Sequence, residues 1–220
     1  MFPLFDSTPR KHFPVINYLL ILLNIVIFIY ELLLPDPEDF IRSFAFIPGN
    51  FNLTVVESYF TIFTSLFIHG GFLHIISNMI FLHVFGDNIE DKLGHFRYIL
   101  FYLGGGLIAA LSQYAAATTS PIPMIGASGA ISAVAGAYFI LFRYSKVKTL
   151  IVILVFLTIV DLPAWFVLGY WFIAQIFSTI GSLSRETFSL GGIAWFAHIG
   201  GFIFGNTIAH WLREKRSRMV

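Results

Sequence analysis

The sequence predicts an all-α integral membrane protein: a bundle of six transmembrane helices with a first outer loop partly embedded in the membrane. Two observations support this fold class. The 220 residues are 57% hydrophobic and only 11% charged, whereas soluble domains are about a quarter charged. The apolar residues are also gathered into six long segments. Since hydrocarbon offers the backbone no water, such segments fold as helices or closed barrels.

The predicted spans follow one another along the whole chain. The first, about 15–34, comes after Arg10 and Lys11 and is longer than the core of a signal peptide, so we expect it to be retained. The other five are 72–89, 98–117, 128–142, 149–177 and 191–212. Between the first two lies the outer loop, acidic at its start and aromatic later. We find no repeat and expect residues 1–220 to form a single domain.

The basic residues predict the orientation. If the six spans alternate, eleven of the thirteen Lys and Arg residues fall on one side of the membrane, and only Arg42 and Arg185 fall on the other. Positive charge is concentrated on the cytoplasmic side of membrane proteins, so we expect both termini in the cytosol. The basic C-terminus is interpreted as a membrane-surface anchor and not as a nucleic-acid site. The compact form suggests a prokaryotic inner membrane.

Several polar side chains lie inside the predicted spans, where they are costly and usually functional. Ser128 and His198 are each fifteen residues from a cytosolic arginine, and Asn78 is fourteen from Lys92. At ~1.5 Å per residue these counts place all three ~21–23 Å above the cytosolic boundary of a core ~30 Å thick. Three polar groups from three helices are therefore expected at one level, beneath the outer surface.

The faces that these residues occupy on their helices agree with this arrangement. At ~100° per residue, Asn78 lies about 40° from His74, while His83 lies about 180° away. Small residues accompany Ser128 and His198 on their own segments, and such residues let helices approach closely in lipid. We expect the fourth and sixth spans to touch, with Ser128 opposite His198. The small residues singled out for close packing are Gly126, Gly129, Gly201 and Gly205.

A serine beside a histidine suggests nucleophilic chemistry, because a neutral hydroxyl needs a base within hydrogen-bond reach. Ser128 also begins a predicted helix, where the first backbone N–H groups have no intrahelical partner and can stabilise an oxyanion. Gly126 permits the turn that aims these groups inward. His74 and Asn78 can add side-chain donors from across a water-filled cavity. An ordinary helix cap is the competing interpretation of Ser128.

Four motifs resemble the rhomboid family of intramembrane serine proteases, of the prokaryotic six-helix type. They are GASGA at 126–130, HGGFLHIISN at 69–78, GDNIEDKLG at 86–94 and AHIGGFIFG at 197–205. The resemblance implies that Ser128 is the nucleophile and His198 the general base. It also implies an oxyanion hole made by His74, Asn78 and the Ser128 backbone N–H. The family cleaves transmembrane segments of other proteins near their outer ends, without metal or cofactor.

The chain departs from this family at two places. A tyrosine often follows the serine by one turn and packs on the base histidine, whereas this chain has Ser132. A Trp-Arg pair is common in the first outer loop, where this chain reads SYFTIFTS at 58–65. Glu90, in contrast, matches the acidic residue that the family has at the cytosolic end of its second helix.

Other polar and aromatic residues have less specific interpretations. His69 is expected to anchor the loop before the second span, and His83 to be structural. Asp161 is placed near the middle of the fifth span, where Pro163 would break the helix and let the carboxyl be protonated or solvated. The aromatic fifth span is either a lateral gate for a substrate helix or a lipid-facing surface.

Two other function classes compete with proteolysis. One is a catalytically inactive rhomboid-like protein that binds membrane clients, and the other is a bis-histidine haem protein. As a protease, the chain would have membrane-protein substrates and the bilayer as partners, no nucleic acid and no cofactor. A helix hides its carbonyls in hydrogen bonds, so we expect substrates with Gly, Pro or small polar residues near the cleavage point. Oligomeric state, physiological substrate and biological role are not predicted.

Overall fold

The computed structural model describes residues 1–153, 156–183 and 194–217. It is mostly helical. The predicted outer-loop residue Arg185, the beginning of the sixth segment at 191–193 and the C-terminal Arg218 lie outside the described residues. The elements are β1 (Phe2–Asp6), α1 (Val15–Leu33), α2 (Pro37–Phe44), α3 (Phe60–Thr64), α4 (Phe72–Phe81), α5 (Asp87–Leu93), α6 (His95–Ala116), α7 (Ser128–Leu141), β2 (Lys146–Ile153), β3 (Phe156–Pro163), α8 (Ala164–Leu183) and α9 (Trp195–Ser217).

Three helices in the described part of the chain are long and apolar enough to cross a membrane: Val15–Leu33, Phe72–Leu93 and His95–Ala116. The second of these combines α4 and α5, which are joined by a π-helical turn at Leu82–Gly86. Two shorter apolar helices, Ser128–Leu141 and Ala164–Phe177, accompany them. The chain is an integral membrane protein, whereas the count of six spans stays a prediction.

Helix α1 shows how the sequence sorts its side chains. Its buried residues recur every three or four positions and include all three of its strongly polar side chains, Asn17, Asn24 and Glu31. The opposite face carries exposed apolar residues such as Leu22 and Val26. Polar groups that face the bundle and apolar groups that face outward are the arrangement that a lipid environment requires.

The predicted fifth span, 149–177, is wrong in its first half. Strands β2, Lys146–Ile153, and β3, Phe156–Pro163, pair antiparallel, and β1 adds to β2 to complete a three-stranded sheet. The helix, α8, begins only at Ala164. The chain is therefore not all-α. The hairpin is rich in Val, Ile and Thr, whose branched Cβ atoms favour strands, and hydropathy does not distinguish an apolar strand from an apolar helix.

Asp161 is misplaced by the same error. It lies on β3, exposed, directly opposite Lys148 of β2. Opposite charges that face one another across strands stabilise a hairpin. Asp161 is therefore a surface residue of the sheet and not a carboxyl at the middle of a helical span.

Helix α7 forms the centre of the bundle, packed between α6 and α9, with eleven of its fourteen residues buried. Glycines bring α7 and α9 into backbone contact. A Cβ built on Gly205 would lie 1.8 Å from the Ala133 carbonyl oxygen, and one built on Gly136 would lie 2.1 Å from that of Phe202. Only glycine, which has no Cβ, lets the two backbones come this close. Small residues of this kind allow helices to pack closely in lipid.

The N-terminal segment is attached to α5 by acidic side chains. Glu90, which is 1% exposed, accepts hydrogen bonds from the backbone N–H groups of Ile16 at 2.9 Å and Asn17 at 2.7 Å. It also contacts the His95 ring. Arg10 and Asp87 form an ion pair at 2.9 Å nearby. Glu90 thus satisfies N–H groups that the first turn of α1 leaves free.

Candidate active site

Ser128 stands at the first position of α7, immediately after a sharp turn. Gly126 has φ +106°, a left-handed conformation that other residues rarely adopt. Its N–H donates to the Ser65 carbonyl at 2.8 Å, which holds the turn in place. The first helical hydrogen bond runs from the Ile131 N–H to the Ala127 carbonyl. The N–H groups of residues 128–130 precede this ladder and are available to a bound anion.

His198 lies in the first turn of α9 and faces Ser128. Its Nε2 atom is 2.8 Å from the Ser128 hydroxyl oxygen, and the residue is 8% exposed. The contact between Gly201 of α9 and Gly129 of α7 lies beside it. A Cβ on Gly201 would come within 2.3 Å of the Gly129 carbonyl oxygen. The close packing of the two helices therefore brings the two polar side chains into hydrogen-bond reach.

The other nitrogen of the His198 ring has a partner that sequence reasoning missed. Its Nδ1 atom lies 2.7 Å from the Oε1 atom of Gln175 on α8. The rings of Trp171 and Trp195 flank the imidazole, with centroids 5.9 Å and 6.1 Å away. An amide in an apolar helix is the sequence signal that could have identified Gln175.

Ser132, which stands where the family often has tyrosine, turns back on its own helix. Its hydroxyl donates to the Ser128 carbonyl at 2.6 Å. The side chain therefore makes a local bond typical of serine within helices. The orientation of His198 depends instead on α8 and on the two tryptophans.

His74 and Asn78 lie on one face of α4, on the other side of the turn that leads to Ser128. A Cβ built on Gly126 would lie 2.5 Å from His74 Nε2 and 3.4 Å from Asn78 Nδ2. Both side chains therefore border the backbone next to Ser128. The Asn78 amide nitrogen is also 3.0 Å from Nε2 of His69, and the His69 and His74 rings are 5.1 Å apart. His69, which we expected to anchor the loop before this helix, therefore supports the face of α4 that carries His74 and Asn78.

His83 lies away from this group, with its ring 6.0 Å from that of Tyr18. A haem protein would draw its axial ligands from His69, His74, His83 and His198. Of these four, His69 and His198 have their Nε2 atoms engaged by Asn78 and Ser128. Within the described ranges, no group of three His, Cys, Asp or Glu side chains could hold a metal ion.

A cavity of about 570 Å³ opens onto these residues. Most of its wall is apolar, and its polar lining includes His74, Asn78, Ser128 and His198. Leu73, Ser77 and Trp171 also line the cavity. An apolar wall with a few convergent polar groups is the usual form of a binding site.

Comparison with known proteins gives a consistent result. A family model described as the Rhomboid domain matches residues 56–215. YdcA of Bacillus subtilis is 29% identical over 136 residues, which cover 60% of this chain and 65% of that protein. Rhomboid protein 1, mitochondrial, of Saccharomyces cerevisiae is 26% identical over 228 residues, covering 100% and 59%. The rhomboid protease AarA of Providencia stuartii is 28% identical over 133 residues, covering 54% and 47%. The chain spans less than two thirds of the length of these curated relatives.

Proposed function

The chain belongs to the rhomboid family, and on this premise we propose that it is an intramembrane serine endopeptidase. It cleaves transmembrane segments of other membrane proteins near their outer ends. The observation that carries the proposal is the 2.8 Å contact between Ser128 Oγ and His198 Nε2 at the wall of an open cavity. This is the hydrogen-bond distance at which a base activates a serine.

The first chemical step forms an acyl-enzyme. Ser128 Oγ bonds to the scissile carbonyl carbon while its proton passes to His198 Nε2, and the carbonyl π electrons move onto oxygen. Collapse of this tetrahedral species breaks the C–N bond, and His198 gives the proton to the leaving amine. Water then attacks the ester by the same route, with His198 taking the proton of water and returning it to Ser128.

Oxyanion stabilisation is assigned to the Ser128 backbone N–H with the side chains of His74 and Asn78. Their position beside Gly126 supports this assignment, because donors must surround the carbon that Ser128 attacks. A Ser–His dyad is suited to this setting, because a buried aspartate–histidine ion pair would cost more to desolvate. Substrate carbonyls become accessible where a helix unwinds, which favours Gly, Pro or small polar residues near the cleavage point.

The orientation and the membrane are proposed from the charge pattern and from the relatives. The positive-inside pattern favours cytosolic termini and an outward-facing cavity. Bacterial relatives support a prokaryotic inner membrane, although the matched yeast protein is mitochondrial. The active enzyme, and not an inactive client-binding protein, is favoured because both Ser128 and His198 are present and in contact.

The test compares Ser128→Ala with Ser77→Ala. Ser77 lines the same cavity, but its hydroxyl bonds the Leu73 and His74 carbonyls of its own helix. Purified variants are given a panel of detergent-solubilised transmembrane substrates and a fluorophosphonate probe. We expect Ser128→Ala to lose both cleavage and labelling, and Ser77→Ala to retain both. Equal cleavage by Ser128→Ala would exclude a serine mechanism, and absence of labelling in the wild type would favour the client-binding alternative.

A further inference from the structure

Helix α8 supplies a polar side chain to the candidate base. Gln175 is 9% exposed, and its Oε1 atom lies 2.7 Å from His198 Nδ1. The opposite ring nitrogen, Nε2, faces Ser128. Both nitrogens of the imidazole are therefore occupied, one by an acceptor from α8 and the other by the hydroxyl from α7.

An amide oxygen only accepts hydrogen bonds, so its partner nitrogen must carry the proton. A neutral imidazole has one N–H, and placing it on Nδ1 leaves the lone pair of Nε2 directed at the Ser128 hydroxyl. That tautomer is the one that can remove the serine proton. The alternative tautomer would direct an N–H at the nucleophile and could not act as base.

We propose that Gln175 is a positioning residue that holds the His198 ring and its tautomer for proton transfer from Ser128. This proposal rests on the proposed serine-protease function. Gln175 performs the orienting task that an aspartate performs in soluble serine proteases. A neutral amide does so without burying a charge in the bundle, where an unpaired carboxylate would be costly.

The two aromatic neighbours that the structure describes beside the ring do not supply this acceptor. Trp171 and Trp195 restrict the imidazole sideways through ring contacts, and an indole has a donor only. Because Gln175 belongs to α8, the base is correctly oriented only while α8 packs against α9.

The experiment measures kcat and KM for cleavage by four variants in detergent, with thermal unfolding of each. Gln175→Leu and Gln175→Met remove the acceptor and keep a side chain of similar size. We expect both to lower kcat about tenfold to a hundredfold, less than the ~10²–10⁴ that a general base contributes, with little change in KM. Gln175→Glu keeps an oxygen acceptor in either protonation state, so it is expected to recover most of the lost kcat.

Gln113→Leu is the matched control. Gln113 is also 9% exposed, but it lies on α6, and its Oε1 atom has no partner among the described residues. This variant is expected to keep the wild-type kcat. Unchanged kcat in the Leu and Met variants, with an inactive Ser128→Ala, would overturn the role of Gln175 alone. The same is true if the Glu variant loses as much kcat as the Leu variant. Cleavage by Ser128→Ala would instead overturn the proposed function.

Discussion

Gly201 of α9 lies against the backbone of Gly129 of α7, so close that a Cβ on Gly201 would stand 2.3 Å from the Gly129 carbonyl oxygen. Each glycine is within one turn of a member of the proposed dyad, Gly201 of His198 and Gly129 of Ser128. The separation of the two helix backbones at this contact therefore determines whether the hydroxyl and the imidazole can meet.

Gly201→Ala should separate α7 from α9 and reduce both stability and activity. Overpacking of this kind costs about 1–3 kcal/mol of unfolding free energy. The longer Ser128–His198 distance should lower kcat, with a smaller effect on KM. Thermal unfolding and cleavage kinetics measure the two effects. Gly104→Ala is the control, because its added Cβ would lie 3.5 Å from its nearest neighbour, a Phe204 ring carbon. Equal activity of both variants would show that the contact does not set the dyad distance.

Asn78→Ala should lower kcat by about 10²–10³-fold with little change in KM, as expected for loss of one oxyanion donor. The control is Asn24→Ala. Asn24 is also buried, but it donates to the Leu20 carbonyl of α1 at 2.7 Å, away from Ser128. Steady-state cleavage of one substrate by both variants gives the comparison. If Asn78→Ala raised KM and left kcat intact, the residue would bind substrate without stabilising the oxyanion.

Glu90→Ala should destabilise the protein by about 2–3 kcal/mol, because two backbone N–H groups of α1 lose a charged acceptor. The cleavage rate of the folded fraction should persist, since Glu90 lies on α5 and not at the cavity. Thermal unfolding of Glu90→Ala and of the exposed Glu38→Ala tests this. A loss no greater than that of Glu38→Ala would contradict the capping role.

A disulfide can test the hairpin that replaces half of a predicted helix. The chain has no cysteine, so the double variant Ile151→Cys with Thr158→Cys contains a single possible bridge. These residues are direct partners across β2 and β3, within the ~5.5 Å Cα separation that a disulfide spans. In a helix they would be ~10 Å apart. We expect rapid oxidation, seen as loss of free thiol. The pair Ile151→Cys with Leu157→Cys, on opposite faces, should stay reduced, and equal oxidation of both pairs would contradict the sheet.

The sequence by itself determined the membrane class and the polar residues from which the site is proposed. Scarce charge and long apolar runs are properties of composition, and the shared depth of Asn78, Ser128 and His198 follows from residue counts along helices. The same reasoning failed at 149–153 and 156–163, because hydropathy is equal for an apolar strand and an apolar helix. Pairing between β2 and β3 decided that segment.

Only the tertiary structure decided how the proposed base, His198, is oriented. Gln175 is twenty-three residues from His198 and on another helix, and no local pattern predicts that their atoms meet. The glycine contacts likewise depend on how α7 and α9 cross. Local periodicity tells which face of a helix a side chain occupies, whereas hydrogen-bond partners between helices depend on packing distances of a few tenths of an ångström, which are set by all the neighbours together.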